Sequence, residues 1–218
     1  EVVKWSDRAK LSDATWSTKA GGPIEMIVEL SNRINANPWI NIPHQADDEY
    51  VRSFAKYLKD NLKPGLKVYI EYTNEAWNAV FGQFHYMIQE GEKRRLGKDR
   101  WDSGFNYYSK RAVEVFKIVE GTFGGTERLV RVMGGQAANP FIVSKSLSFQ
   151  NAHKHVDAVA IAPYIGGHLG SPDAKTDQMS LDEIFKVLET DSMAESKKWI
   201  TDHVKVTEKY GLDLIAYE

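Results

Sequence analysis

The feature that most constrains this chain is an alternation. Short, nearly continuously apolar segments with strand character are separated by longer stretches of helical periodicity, and the exchange repeats about six times. The strand-like segments are "EVVKW", "PWINIPHQ", "LKVYIEYTNE", "ERLVRVMGGQ", "VDAVAIAPYIGG" and "LDLIAYE". Between them, "PIEMIVELSNRINA" opens on Pro23 and places Ile24, Ile27, Val28 and Leu30 at helical spacing. The stretch "ADDEYVRSFAKYLKDNL" starts with acids that suit the positive end of a helix dipole. Further helices are expected in "FGQFHYMIQEGEKRR", "NYYSKRAVEVFKIVEGTF", "PFIVSKSLSFQNAHK", "LDEIFKVLE" and "MAESKKWITDHVKVTEKYG". Apolar strands joined by helices predict a parallel sheet in an α/β fold.

Composition narrows the partners. The 218 residues are 42% hydrophobic and 27% charged, enough for a sizeable core in one domain spanning 1–218. A net charge of -2 with scattered basic residues predicts no nucleic acid partner and no anionic membrane surface. No apolar run approaches membrane-spanning length, and the absence of cysteine excludes disulfides and thiolate chemistry. The chain starts at Glu1 rather than Met, which suggests a fragment or mature part of a longer protein.

Two architectures fit the alternation, a doubly wound open sheet and a (β/α)₈ barrel. The first should carry a glycine-rich phosphate turn, and neither GxGxxG nor a P-loop pattern occurs. Polar groups recur instead at the carboxyl ends of successive strands: His44 and Gln45, Asn74 and Glu75, Gln136, Tyr164, then Glu218. Barrel active sites are assembled from that face. The expectation is therefore a (β/α)₈ TIM barrel, incomplete, with six of its eight strands, about strands 2 to 7.

The stretch "YIEYTNEAWN" carries the sharpest chemical signal. If its strand stays regular, Tyr69, Glu71, Thr73 and Glu75 share one face. Glu75 then reaches the mouth, while Glu71 lies deeper as a supporting group. Glu218 closes "LDLIAYE" at an equivalent height, and two carboxyls across a groove are what glycoside hydrolysis requires.

With those residues in place, "EYTNEAWN" resembles the strand-four Asn–Glu signature of clan A glycoside hydrolases, the retaining barrel group that includes the cellulase-like family 5. The resemblance implies Glu75 as acid/base, Glu218 as nucleophile and Asn74 as the group binding the sugar 2-hydroxyl. It implies substrate binding by His44 and a bond from Tyr164 to the nucleophile, with Glu71 as an inward carboxylate. Trp77 and Gln136 complete the expected substrate-binding set. An oligo- or polysaccharide substrate, no cofactor, no metal, and a secreted or periplasmic location follow from the same likeness. The first and eighth strands of such a barrel are missing from the sequence.

Plain alternatives accompany each assignment. Glu218 could be a solvated chain end. His44 could cap the following helix, and Tyr164 could be simple packing. Trp77 could close the rim as readily as stack on a sugar. His153 and His155 in "HKH" precede a strand, away from the expected mouth, which speaks against a metal role. A barrel that binds carbohydrate without cleaving it is the rival to the enzyme.

Overall fold

The computed structural model describes residues 1–218. Five strands, β1 (Trp39–Ile42), β2 (Val68–Tyr72), β3 (Leu129–Gly134), β4 (Ala158–Ile161) and β5 (Asp213–Ala216), form one sheet. They pair in sequence order and all in parallel, leaving β1 and β5 as edges. Seven α-helices accompany them: α1 (Ile24–Ile34), α2 (Asp48–Asn61), α3 (Gly82–Lys93), α4 (Arg100–Phe123), α5 (Pro140–Ser148), α6 (Leu181–Val187) and α7 (Met193–Tyr210). This is an α/β fold built on a five-stranded parallel sheet.

The expected sixth strand, "EVVKW", is not a strand. Trp5–Asp7 make a 3₁₀ turn, and the Asp7 carboxylate accepts from the Lys4 N–H at 2.8 Å. The apolar content of this segment serves packing: the Trp5 ring meets Tyr50 edge-on at 5.6 Å on α2. The sheet accordingly has five strands where strands 2 to 7 of a barrel would need six.

Local chemistry sets the helix limits. Asp47 Oδ1 accepts from the Tyr50 N–H at 2.7 Å to start α2, and Asp99 does the same for Asp102 at the start of α4. Gly124 and Gly211 end α4 and α7 with φ of 84° and 66°, a region glycine enters without a Cβ penalty. The segment read as one helix from Pro140 to Lys154 stops at Ser148, because Gln150 and Asn151 adopt left-handed backbone. A π turn over Leu188–Ser192 joins α6 to α7.

Alternation along the strands divides the sheet. Ile40, Ile42, Val68, Ile70, Tyr72, Met133, Val159 and Ile161 face α2, α4 and α5 and share one core with Val51, Leu58, Ala112, Phe116 and Leu147. Burying each large side chain contributes roughly 1.5–3 kcal/mol. The opposite face carries Trp39, Asn41, Tyr69 and Glu71 on β1 and β2, with Trp39 stacked on Tyr69 at 5.4 Å. On β3 and β4 that face shrinks to Val132, Gly134, Ala158 and Ala160. Parallel sheets commonly bury both faces in apolar side chains, so polar residues on one face mark it out.

Candidate functional site

Backbone regularity ends at Tyr72. Thr73 and Glu75 have φ of 57° and 42°, left-handed values that a β-branched residue in particular avoids. Simple parity therefore does not carry from Glu71 to Glu75. Glu75 is presented by a turn, closed by the Asn78 N–H donating to the Glu75 carbonyl at 2.9 Å. Its carboxylate accepts from Asn78 Nδ2 at 2.8 Å and from the Tyr217 hydroxyl at 3.1 Å. The second bond links residues 142 positions apart and brings the chain beyond β5 to the chain beyond β2. Tyr217 was not among the residues the sequence singled out. Its only signal was its place at a strand end beside Glu218.

A cavity of about 250 Å³ lies at these ends, lined by Trp39, Asn41, Glu71, Asn74, Tyr217 and Glu218. Glu218 is exposed, two residues past the end of β5. Glu71 is buried yet borders the same space, and its Oε2 accepts from the Trp39 indole N–H at 2.9 Å. Burial pushes the Glu71 carboxyl up to about 7, against the opposing pull of the Trp39 bond and with help from the charge of Glu75. The chain makes room for this carboxyl by omission: any Cβ at Gly134 would overlap Glu71 Oε1. The Gly134 N–H itself donates to the Tyr108 hydroxyl at 2.9 Å.

On one side the groove continues into a cavity of about 420 Å³, which shares Asn41 and Asn74 with the first and adds His44, Thr73 and Gln83. The loop after β1 is tied down by Tyr72, whose hydroxyl donates to the His44 carbonyl at 2.8 Å, and by Arg111, which donates to the Ala46 carbonyl at 3.0 Å. The His44 ring stands edge-on to Tyr86 at 5.2 Å, with Nε2 3.3 Å from Gln45 Nε2. Burial lowers its pKa, opposed by the nearby charge of Glu1. Asn74 is exposed, and its backbone carbonyl accepts from Gln83 at 2.7 Å.

On the other side Tyr217 opens onto a cavity of about 170 Å³, bordered by Trp77, Gln136, Tyr164 and Trp199 with alanines between them. The Trp77 indole N–H is buried and finds no acceptor in the chain. Tyr164 is exposed and makes no hydrogen bond to Glu218; its carbonyl accepts from Ser196 Oγ at 2.6 Å. Seven of the eight expected residues thus border one of three adjoining cavities, and Glu75 joins them through Tyr217.

The largest depression, about 610 Å³, opens beside α2, α3 and α4 and shares His44 alone with the groove. Its cations are already engaged: Arg94 with Glu90, Arg111 with Asp48 and Glu114, Lys110 with Glu114. That pattern is a solvated, self-neutralised surface. His153 stacks on Tyr210 at 4.6 Å with Nδ1 near the Leu147 carbonyl, ahead of the amino-terminal end of β4 and outside the three cavities.

What the arrangement can do chemically is proton transfer and nucleophilic attack by carboxyls. Three of them, Glu71, Glu75 and Glu218, gather where no lysine or arginine lines the central cavity. Compared with family models, with curated proteins and with solved structures, the chain gives no match.

Proposed function

We propose that this chain is the larger part of a (β/α)₈ barrel of the clan A glycoside hydrolase type, and that it cleaves a β-linked glycan with retention. One observation carries the reading: Tyr217 binds the Glu75 carboxylate while the next residue, Glu218, borders the central cavity, so the chain beyond β2 and the chain beyond β5 each bring a carboxyl residue to the same end of the sheet. The division of the sheet into an apolar helix-facing side and a side that carries Asn41 and Glu71 beside small β3 and β4 residues agrees with a barrel wall and its interior.

In the first step Glu75 donates its proton to the glycosidic oxygen, the bond from that oxygen to the anomeric carbon breaks, and a Glu218 oxygen bonds to that carbon. In the second, water attacks the same carbon, its proton passes to Glu75, and the bond to Glu218 breaks. Tyr217 and Asn78 hold the Glu75 carboxyl in place, Asn74 and His44 border the space for the sugar, and Glu71 lines the central cavity behind the site. The likeness to the clan also implies a secreted or periplasmic protein. No helix of the structure is long and apolar enough to cross a membrane.

The test is turnover of a panel of β-glycosides and polysaccharides, with product anomers followed by NMR. Net retention, with a loss of about 10²–10⁴-fold in Glu75→Gln, supports the reading. Inverted product or equal activity in both proteins removes it. One feature favours the rival, a barrel that binds carbohydrate without cleaving it: Glu218 is exposed and makes no hydrogen bond through its side chain. Saturable sugar binding without turnover would decide for that rival.

A further inference from the structure

One charged segment takes no part in the groove. Between α3 and α4 the sequence reads "EKRRLGKDRW" over residues 92–101. Its ion pairs are local: Lys93 and Arg94 meet Glu90, and Asp102 just beyond it holds Lys145 at 2.6 Å. Arg95, Lys98 and Arg100 are exposed and enter no ion pair. Asp99, standing among them, is engaged as the cap of α4, where it accepts from the Asp102 N–H at 2.9 Å.

Trp101 follows Arg100 and is 51% exposed, an unusual state for a side chain that proteins mostly bury. Its ring rests on the buried Phe84 at 5.5 Å, and the Arg100 guanidinium lies 5.8 Å from the ring centre. The backbone beneath is firmly held. The Leu96 carbonyl accepts from Asn106 at 2.8 Å, the Leu96 N–H donates to the Gly91 carbonyl at 3.1 Å, and Gly97 packs so tightly on Asp102 and Ser103 that a Cβ would overlap them. A solvated helix end accounts for the three cations. It does not account for a half-exposed tryptophan on a fixed support beside them.

A ring face flanked by unpaired cations fits a partner that repeats rings and negative charges. The C–H face of a pyranose packs on an indole, and a carboxylate on the same sugar pairs with arginine through two parallel bonds. The place also suits a polymer: α3, which backs Trp101 through Phe84, begins with Gly82 and Gln83 on the border of the 420 Å³ cavity. Resting on the reading of the groove as a glycan site, we propose that the segment from Arg95 to Trp101 anchors an acidic polysaccharide with uronate carboxylates on its rings, which places the substrate in that class. Val80 and Phe81, exposed ahead of α3, would suit a lipid surface. Glu92 and Asp99 are exposed among the cations, however, and a flat anionic membrane would repel them where a narrow chain passes between.

The probes are a β-linked mannuronate oligomer and its neutral counterpart, a β-linked mannose oligomer of the same length, each titrated calorimetrically against the chain. Beside the parent stand Arg95→Gln/Lys98→Gln/Arg100→Gln, Trp101→Ala and Trp101→Phe, with thermal melts to confirm folding. The expected result is saturable mannuronate binding at least tenfold tighter than that of the neutral oligomer. It should weaken at least tenfold in the triple variant and in Trp101→Ala, and less than threefold in Trp101→Phe, which keeps a ring. Turnover of a small neutral aryl β-glycoside should stay within twofold of the parent in all three. Equal binding of the two oligomers, undiminished binding in the triple variant or in Trp101→Ala, or tighter binding to single-stranded DNA or to phosphatidylserine vesicles overturns the anchor. Mannuronate binding as expected, with no turnover of any β-glycoside, overturns hydrolysis and supports the anchor. Absent mannuronate binding beside intact turnover overturns the anchor alone.

Discussion

The two ends of the sheet treat their carboxyls in opposite ways. Toward the amino-terminal ends, Asp157 is gripped by Arg131, with Nε at 2.8 Å and Nη2 at 2.6 Å, and the same arginine reaches Glu120 at 2.6 Å. Burial alone would raise the Asp157 carboxyl, but the bonds and charge of Arg131 outweigh it and hold the group below the usual range. Toward the carboxyl-terminal ends, Glu71 is more deeply buried and has only an indole N–H for company, and its acidity weakens accordingly. One end neutralises its charge to hold strands together. The other leaves a carboxyl with a single donor at the edge of a cavity.

Glu75→Gln should separate the two ends most widely. Turnover is expected to fall by about 10²–10⁴-fold, roughly 3–5 kcal/mol of barrier, with little change in thermal stability. A comparable fall in melting temperature would mean that Glu75 is structural.

Glu71 gives the next effect, and its sign is definite. Its pKa in the folded chain, about 7, stands above the ordinary 4.5, so the associated stability is fully present below about pH 4.5 and is lost as the pH rises through 7. The whole window is worth about 3 kcal/mol. Thermal melts of Glu71→Gln should therefore lie above those of the parent at pH 8, converge with them near pH 4.5 and vary less between. A parent curve that rises across this window would refute the burial argument.

Asp157→Ala should cost about 2 kcal/mol, since a half-buried arginine loses its main partner and the Arg131 N–H loses an acceptor. Turnover per folded molecule should not change, as measured after active-site titration. The smallest effect belongs to Trp77→Phe, which keeps a ring and removes a donor with no acceptor. Denaturant melts should show stability unchanged or raised by up to about 1 kcal/mol. A marked loss would mean that the indole has a partner in solution.

The sequence revealed the sheet because apolar strands and amphipathic helices leave periodic traces, and all five strands lie within segments read as strands. "EVVKW" misled because Val2 and Trp5 are apolar for a different reason: Val2 is buried and Trp5 packs on α2. At the site, Glu71, Asn74 and Glu218 could be singled out from residue type and strand-end position. The turn that carries Glu75 could not, because left-handed backbone at Thr73 and Glu75 runs against the preference of both residues. Tyr217 was hidden for a related reason: its partner lies far away in sequence, and a tyrosine at a strand end has many ordinary uses.

Gly134 ties neighbouring strands together in a way that substitution patterns should record. The volume it leaves empty is occupied by the end of the Glu71 side chain, so positions 71 and 134 draw on one allotment of space across the β2–β3 boundary. A methyl group can enter β3 only if the acid on β2 shortens or turns aside. Glu71→Asp combined with Gly134→Ala should then be tolerated better than the separate effects would suggest, and the two sites would vary as a pair.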